Sequence, residues 1–176
     1  MVTVADNDKG KQNFGLGLGE YHNMQMLGIQ KKGSIETEGG EDGIRFVTAI
    51  NSTLLKGSNI DDYGYIVVKA KAGTSVDTIY QNMNKLTYEK MDSAHIFRCK
   101  GSSNTISGEF GQYASDTDYK YVTLALTGTQ DSTDTVAARF YIKTKDGNYH
   151  YANYYKGNDV YGGMAFKLSD VTGSLV

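Results

Sequence analysis

The segment RFYIKTKDGNYHYANYY (residues 139–155) sets an Asp146-Gly147 pair between two runs of alternating side chains. Asp-Gly flanked by alternation is a strong short-range signal for a β-hairpin, because both residues tolerate the positive φ of a tight turn. With a two-residue turn, Lys145 faces Asn148 and pairing proceeds outward from there. Phe140, Ile142, Thr144, Tyr149, Tyr151 and Asn153 then share one face, and Arg139, Tyr141, Lys143, His150, Ala152 and Tyr154 share the other. The first set continues the apolar parity of Val136 and Ala138, so it is expected to face the core. The second set mixes rings with hydrogen-bond donors and is expected to face solvent.

The same period of two recurs upstream. IRFVTAIN (44–51) groups Ile44, Phe46, Thr48 and Ile50 opposite Arg45, Val47 and Ala49. YGYIVVKAK (63–71) groups Ile66, Val68 and Ala70 opposite Tyr65, Val67, Lys69 and Lys71, and YKYVTLALT (119–127) groups Val122, Leu124 and Leu126 opposite Tyr121, Thr123 and Ala125. Each stretch reads as a strand. Further strands are expected at about 21–31 and 93–100, with a glycine-weakened edge strand at 105–113. One stretch breaks the period: in TSVDTIYQNMNKL (74–86), Val76, Ile79, Tyr80, Met83 and Leu86 recur at helical spacing. Thr74 or Ser75 is placed to cap it, and Asp77 suits its N-terminal dipole. The expected fold is mostly β, an antiparallel β-sandwich with one short amphipathic helix. It forms a single module over residues 1–176, with residues 1–43 partly irregular.

Charge and cysteine usage narrow the function classes. Eighteen basic residues against 20 acidic ones give a net charge of −2, which argues against a nucleic-acid partner. No apolar run approaches the length of a membrane span, so no membrane insertion is expected. The single Cys99 allows neither an intrachain disulfide nor a zinc site of the Cys₂His₂ or Cys₄ kind, and reads as a small buried hydrophobe. Gly15, Gly17 and Gly19 lack the spacing and the following helix of a dinucleotide loop.

Catalytic constellations are missing too. His22, His95 and His150 lie far apart, and no nucleophile elbow or His-Glu-x-x-His motif occurs. The acid pairs Glu41-Asp42 and Asp61-Asp62 fall in apparent turns and read as solvated loop residues. A non-enzymatic role is therefore expected. Alternating acids at Asp6 and Asp8, echoed at Asp116 and Asp118, suit a hard cation with oxygen ligands. Structural calcium at Asp6 and Asp8 is the one cofactor considered.

GIRFVTAIN, then DDYGYIVVKAK, YKYVTLALTG and AARFYIKTKDGNYHYANYY form an ordered series over residues 43–156. The series resembles a β-rich accessory module of large secreted, cellulosome or carbohydrate-degrading proteins of anaerobic Gram-positive bacteria. The resemblance implies an extracellular setting, a place as a monomer within a longer chain, and a carbohydrate-binding role without catalytic residues. The tyrosines fit that role. Sugar rings lay their C–H faces on aromatic side chains while their hydroxyls need fixed donors and acceptors. Tyr141 and Tyr154 with Arg139, Lys143 and His150 offer both, and Tyr65, Tyr121 and Lys69 share the outward parity on their own strands. Such a strip with basic edges suits acidic or heavily hydroxylated polysaccharides. Tyrosine is equally an ordinary cross-strand packing residue, and the alternative function is a protein–protein scaffold, adhesin or spacer module. Arg45 and Arg139, in matching Ile-Arg-Phe and Ala-Arg-Phe contexts, are each expected to pair with a carboxylate and brace the sheet.

Overall fold

Alternating sequence becomes strand in every stretch where it is strongest. A computed structural model describes residues 24–31, 43–51, 59–100, 105–106, 119–127, 133–173 and 175. Among them the strands are β1 Met24–Lys31, β2 Gly43–Asn51, β3 Ile60–Lys69, β4 Ile96–Arg98, β5 Thr105–Ile106 and β6 Tyr119–Thr127. They continue with β7 Thr135–Thr144, β8 Tyr149–Tyr151, β9 Tyr154–Lys156, β10 Asp159–Tyr161 and β11 Met164–Lys167. The protein is mostly β and its sheets are antiparallel. One sheet runs β1-β2-β6-β5. The second runs β11-β7-β3-β4, with β8 also paired to β7, and β9 and β10 form a separate ribbon.

The two sheets share one apolar cluster. Ile44, Phe46, Ile50, Val122 and Leu124 come from the first sheet, and Tyr65, Val136, Phe140, Ile142 and Met164 from the second. Cys99 joins them, fully buried as expected, and burial pushes its thiol up to about 12. Parity along β2, β6 and β7 follows the sequence. What differs is that the opposite faces are covered as well. Val47, Ala49 and Tyr121 form a second buried cluster on the first sheet. Ala137, Arg139 and Tyr141, on the other side of β7, are likewise almost without exposure.

The cover over the second sheet is the stretch expected to be one short amphipathic helix over residues 74–86, and the chain that follows it. Only Val76–Gln81 is α-helical (α1), capped by Ser75, whose Oγ accepts from Thr78 N–H. Single 3₁₀ turns follow at Met83–Lys85, Tyr88–Lys90 and Ser93–His95, so the strand expected over 93–100 shrinks to β4. VDTIYQ is poor helix sequence, with three β-branched residues, Val76, Thr78 and Ile79, and a ring at Tyr80. A helix this short has no stability of its own. It persists because Ile79, Tyr80 and Met83 pack on Ala137 and Ala165.

The hairpin of residues 135–151 forms, but with a different turn. Lys143 pairs with Tyr149 and Tyr141 with Tyr151. Thr144 N–H donates to Asn148 O at 2.9 Å, and Gly147 N–H donates to Thr144 O at 2.9 Å. The loop is therefore Lys145-Asp146-Gly147, with Gly147 at φ 89°. Asp146 Oδ1 holds it by accepting from Asn148 N–H and from the Thr144 hydroxyl. One extra loop residue shifts the register by one and moves every side chain of β8 to the opposite face. Tyr149 and Tyr151 join Tyr141 on the outer face, while His150 and Ala152 turn toward the core.

Downstream, the pair Gly157-Asn158 links β9 to β10, with Lys156 opposite Asp159 and Gly157 at φ 62°. That pair is a turn signal of the same kind as Asp-Gly, and it marks strands the sequence reading passed over. No helix among the described residues is long and apolar enough to cross a membrane.

Candidate functional site

The expected tyrosine strip does not exist as a surface. Tyr65 and Tyr141 have no exposure, and neither has Tyr121. They also lie on three different faces. Tyr65 pairs with Phe140 across β3 and β7, so it points into the core between the sheets. There its hydroxyl bonds to Val122 O and Thr48 Oγ1. Tyr121 sits with Val47 and Ala49 on the far side of the first sheet. Tyr141 lies under the covering segment. Alternation assigned sides correctly in β2, β6 and β7, but it inverted β3, where Tyr65 and Val67 face the core, and it could not reveal that both sides would be covered.

The other expected site residues divide similarly. Arg139 is 4% exposed, and no carboxylate pairs with it among the described residues. Its Nε donates to Gly162 O and its Nη1 to Leu86 O, both at 2.8 Å, and its guanidinium lies 3.6 Å over the Tyr151 ring. Burial lowers this guanidinium to about 10, opposed in part by Tyr151. Arg45 is buried against Gln30, whose Oε1 accepts from its Nε and Nη2. Tyr154 is half-buried, stacked at 6.4 Å and 9° on Tyr80 and edge-on to Phe166. His150 is half-buried opposite Ile142. Lys69 is exposed and paired with Asp134 at 2.7 Å. Asp6 and Asp8, like Asp116, Asp118, His22, Glu41 and Asp42, lie outside the described residues.

What the outer face of the second sheet does expose is a polar cleft at one edge. It has a volume of about 290 Å³ and is lined by Asp61, Asp62, Tyr88, Arg98, Lys100 and Lys143. A register shift between Ile60 and Asp62 makes Asp61 the extra residue of a bulge. Bulges re-aim side chains at strand ends, so the two acids sit in a strand irregularity and not in the turn expected for them.

Asp62 is the fixed centre of the cleft, with a side chain only 14% exposed. Its Oδ1 accepts from Tyr63 N–H at 2.9 Å. Its Oδ2 accepts from the Tyr141 hydroxyl at 3.2 Å and lies 3.4 Å from Arg98 Nε. Desolvation, reinforced by the Asp62 charge, raises Tyr141 well above the ordinary phenol range, so it stays a donor. Lys143 Nζ stands 3.8 Å from Asp61 Oδ2, and Lys100 Nζ donates to Asp61 O. Three cations therefore face two carboxylates.

The aromatic wall comes from residues outside the expected set. Tyr88 stacks on Tyr149 with centroids 4.4 Å apart and planes at 18°, and meets Tyr141 edge-on at 5.0 Å. Burial and the neighbouring Tyr88 and Glu89 push Tyr149 up to about 12. Arg98 Nη2 reaches Tyr88 Oη at 3.3 Å. Tyr88 is held in turn by its backbone N–H, which donates to Tyr151 Oη at 2.9 Å. Of this group only Tyr141 and Lys143 were legible as site residues. Asp61-Asp62 was visible as an acid pair, and a three-residue hairpin loop would have put Tyr149 beside Tyr141. Nothing in the sequence placed Tyr88 or Arg98 there.

No family model, curated protein or solved structure matches this chain.

Proposed function

We propose that the chain is a non-catalytic, extracellular accessory module that binds carbohydrate, and that the ligand site is the Asp62 cleft. The observation that carries the proposal is the Asp62 carboxylate, held on the cleft floor by Tyr141 and Arg98 beside the stacked Tyr88–Tyr149 pair. Sugar hydroxyls need acceptors and donors that are already oriented, since mobile groups lose binding energy on ordering. Asp62, Arg98, Lys143 and Lys100 supply both kinds, and the half-buried Tyr88 and Tyr149 rings supply apolar edge for a pyranose C–H face. The excess of one cation over the carboxylates favours an acidic polysaccharide over a neutral one. The extracellular setting rests on the sequence resemblance alone.

Affinity electrophoresis against uronate-rich and neutral polysaccharides tests this directly. Retardation by the acidic glycans is expected, weakened about tenfold by Arg98→Ala or Lys143→Ala, which remove one charge-assisted bond each from an exposed and a half-buried position. Uniform failure to bind any glycan sinks the proposal. Binding that both variants retain in full moves the site elsewhere.

A further inference from the structure

A second recess lies on the same outer face, away from the Asp62 cleft, where α1 and the turn after it lean on the end of β3. It encloses about 280 Å³, at the small end of the range for ligand pockets. Its walls are Val68 and Ala70 from β3 and the chain beyond it, Ala137 from β7, and Ile79 and Leu86 from the covering segment. Val68, Ala70 and Leu86 are only half-buried, so this apolar floor is open to a ligand. β4 pairs with β3 only at Gly64, Tyr65 and Ile66, so the sheet steps back at this point and leaves room under α1.

Two lysines stand at the recess. Lys69 is neutralised by Asp134 at 2.7 Å. Lys71 also lines it, is exposed, and has no ion pair among the described residues. Polar side chains are otherwise few: Thr74, Thr78 and Asn82, with Thr78 already bonded to Ser75 and Asn82 to Thr78 O. An apolar floor with one uncompensated ammonium complements a small amphipathic anion. We infer that this recess binds a monocarboxylate with a short hydrocarbon tail, the tail lying against Val68, Ile79 and Leu86 and the carboxylate meeting Lys71.

Octanoate is a suitable probe, with octanol and octylamine as controls of equal tail length. Backbone amide shifts of the whole chain, followed by NMR, report the location. Saturable shifts at Ile79, Leu86 and Ala137 are expected with octanoate, with octanol about tenfold weaker and octylamine weaker still. Lys71→Gln should bring octanoate to the level of octanol, and Ala70→Leu, which fills the floor, should abolish the shifts with both. Lys71 is exposed and Ala70 half-buried, so the fold tolerates both changes. The inference is overturned by absence of saturable shifts at these amides, by equal affinity for octanoate and octylamine, or by shifts that survive Ala70→Leu. Polysaccharide binding uses other residues, so neither result decides the other.

Discussion

The Tyr65 hydroxyl donates to Val122 O at 2.6 Å, a bond from β3 of one sheet to β6 of the other across the shared core. Thr48 Oγ1 of β2 lies 2.7 Å from the same oxygen. A fully buried phenol is tolerated only with such partners, and here they also fix the sheets against each other. Tyr65→Phe should keep the fold but leave a buried carbonyl and a buried hydroxyl short of a partner, at about 2 kcal/mol. Urea denaturation measures this. The midpoint should fall with an unchanged slope, and an unchanged midpoint would mean the bond contributes nothing.

Gly64 faces a sharper constraint. A Cβ at this position would stand 2.1 Å from Phe97 O, where β4 leaves β3. The obstacle is backbone, which cannot rotate away. Gly64→Ala should cost about 3 kcal/mol or more, because β4 must separate from β3. Since Arg98 is carried on β4, glycan affinity should fall together with stability.

Gly147 has the opposite surroundings. No atom lies within 4 Å of a Cβ placed on it, yet its φ is 89°. Only the backbone conformation resists a side chain, so Gly147→Ala should cost about 1 kcal/mol and Gly147→Asn less. A thermal melt that ranks Asn no better than Ala would contradict this account of the loop.

Arg139 ties the covering segment to the sheet through Leu86 O, Gly162 O and the Tyr151 ring. Arg139→Lys keeps the charge but cannot span both carbonyls, and should cost about 3 kcal/mol. Hydrogen exchange should show residues 76–95 losing protection before the strands do. Uniform loss across the chain would count against a local tether.

Alkaline pH should destabilise the protein. Burial raises Cys99 from 9.0 to about 12 and Tyr149 from 10.0 to about 12, and raises Tyr65, Tyr80, Tyr141, Tyr151 and Tyr154 as well. A group whose folded value lies above its unfolded one contributes stability that is complete below the unfolded value. That stability is lost as pH rises through the folded one. Arg139 runs the other way, its lowered value relieving a folded-state cost above about 10, but it is one group against seven. Denaturation midpoints should hold to about pH 9 and decline through pH 12. Tyrosinate absorbance should rise in step with unfolding, and a rise well ahead of unfolding would show the rings to be accessible.

The candidate site was legible only in part. Alternation marks Lys143 and Tyr141, whereas the Asp61-Asp62 pair has the local pattern of a solvated loop. The decisive difference is local: the hairpin loop has three residues and not two, which exchanges the faces of Tyr149 and His150. Asp-Gly is compatible with both loops, and the choice between them depends on Asp146 accepting from Thr144 and Asn148. The arrival of Tyr88 and Arg98 had no local signal, because each reaches the cleft through contacts with residues distant in the chain.

By itself the sequence determined the long strands β1, β2, β3, β6 and β7, the division of β2, β6 and β7 into a core side and an outer side, the start of α1 at Ser75 and the inert burial of Cys99. Those properties follow from alternation along an extended backbone, capping chemistry and hydrophobicity, all of which act over a few residues. Only the tertiary structure decided which sides meet solvent. Exposure depends on what is laid over a face. Here Arg139 and the tyrosines bind residues 76–95 onto a sheet surface that alternation alone would leave open, so the rings that looked like a display hold a cover in place.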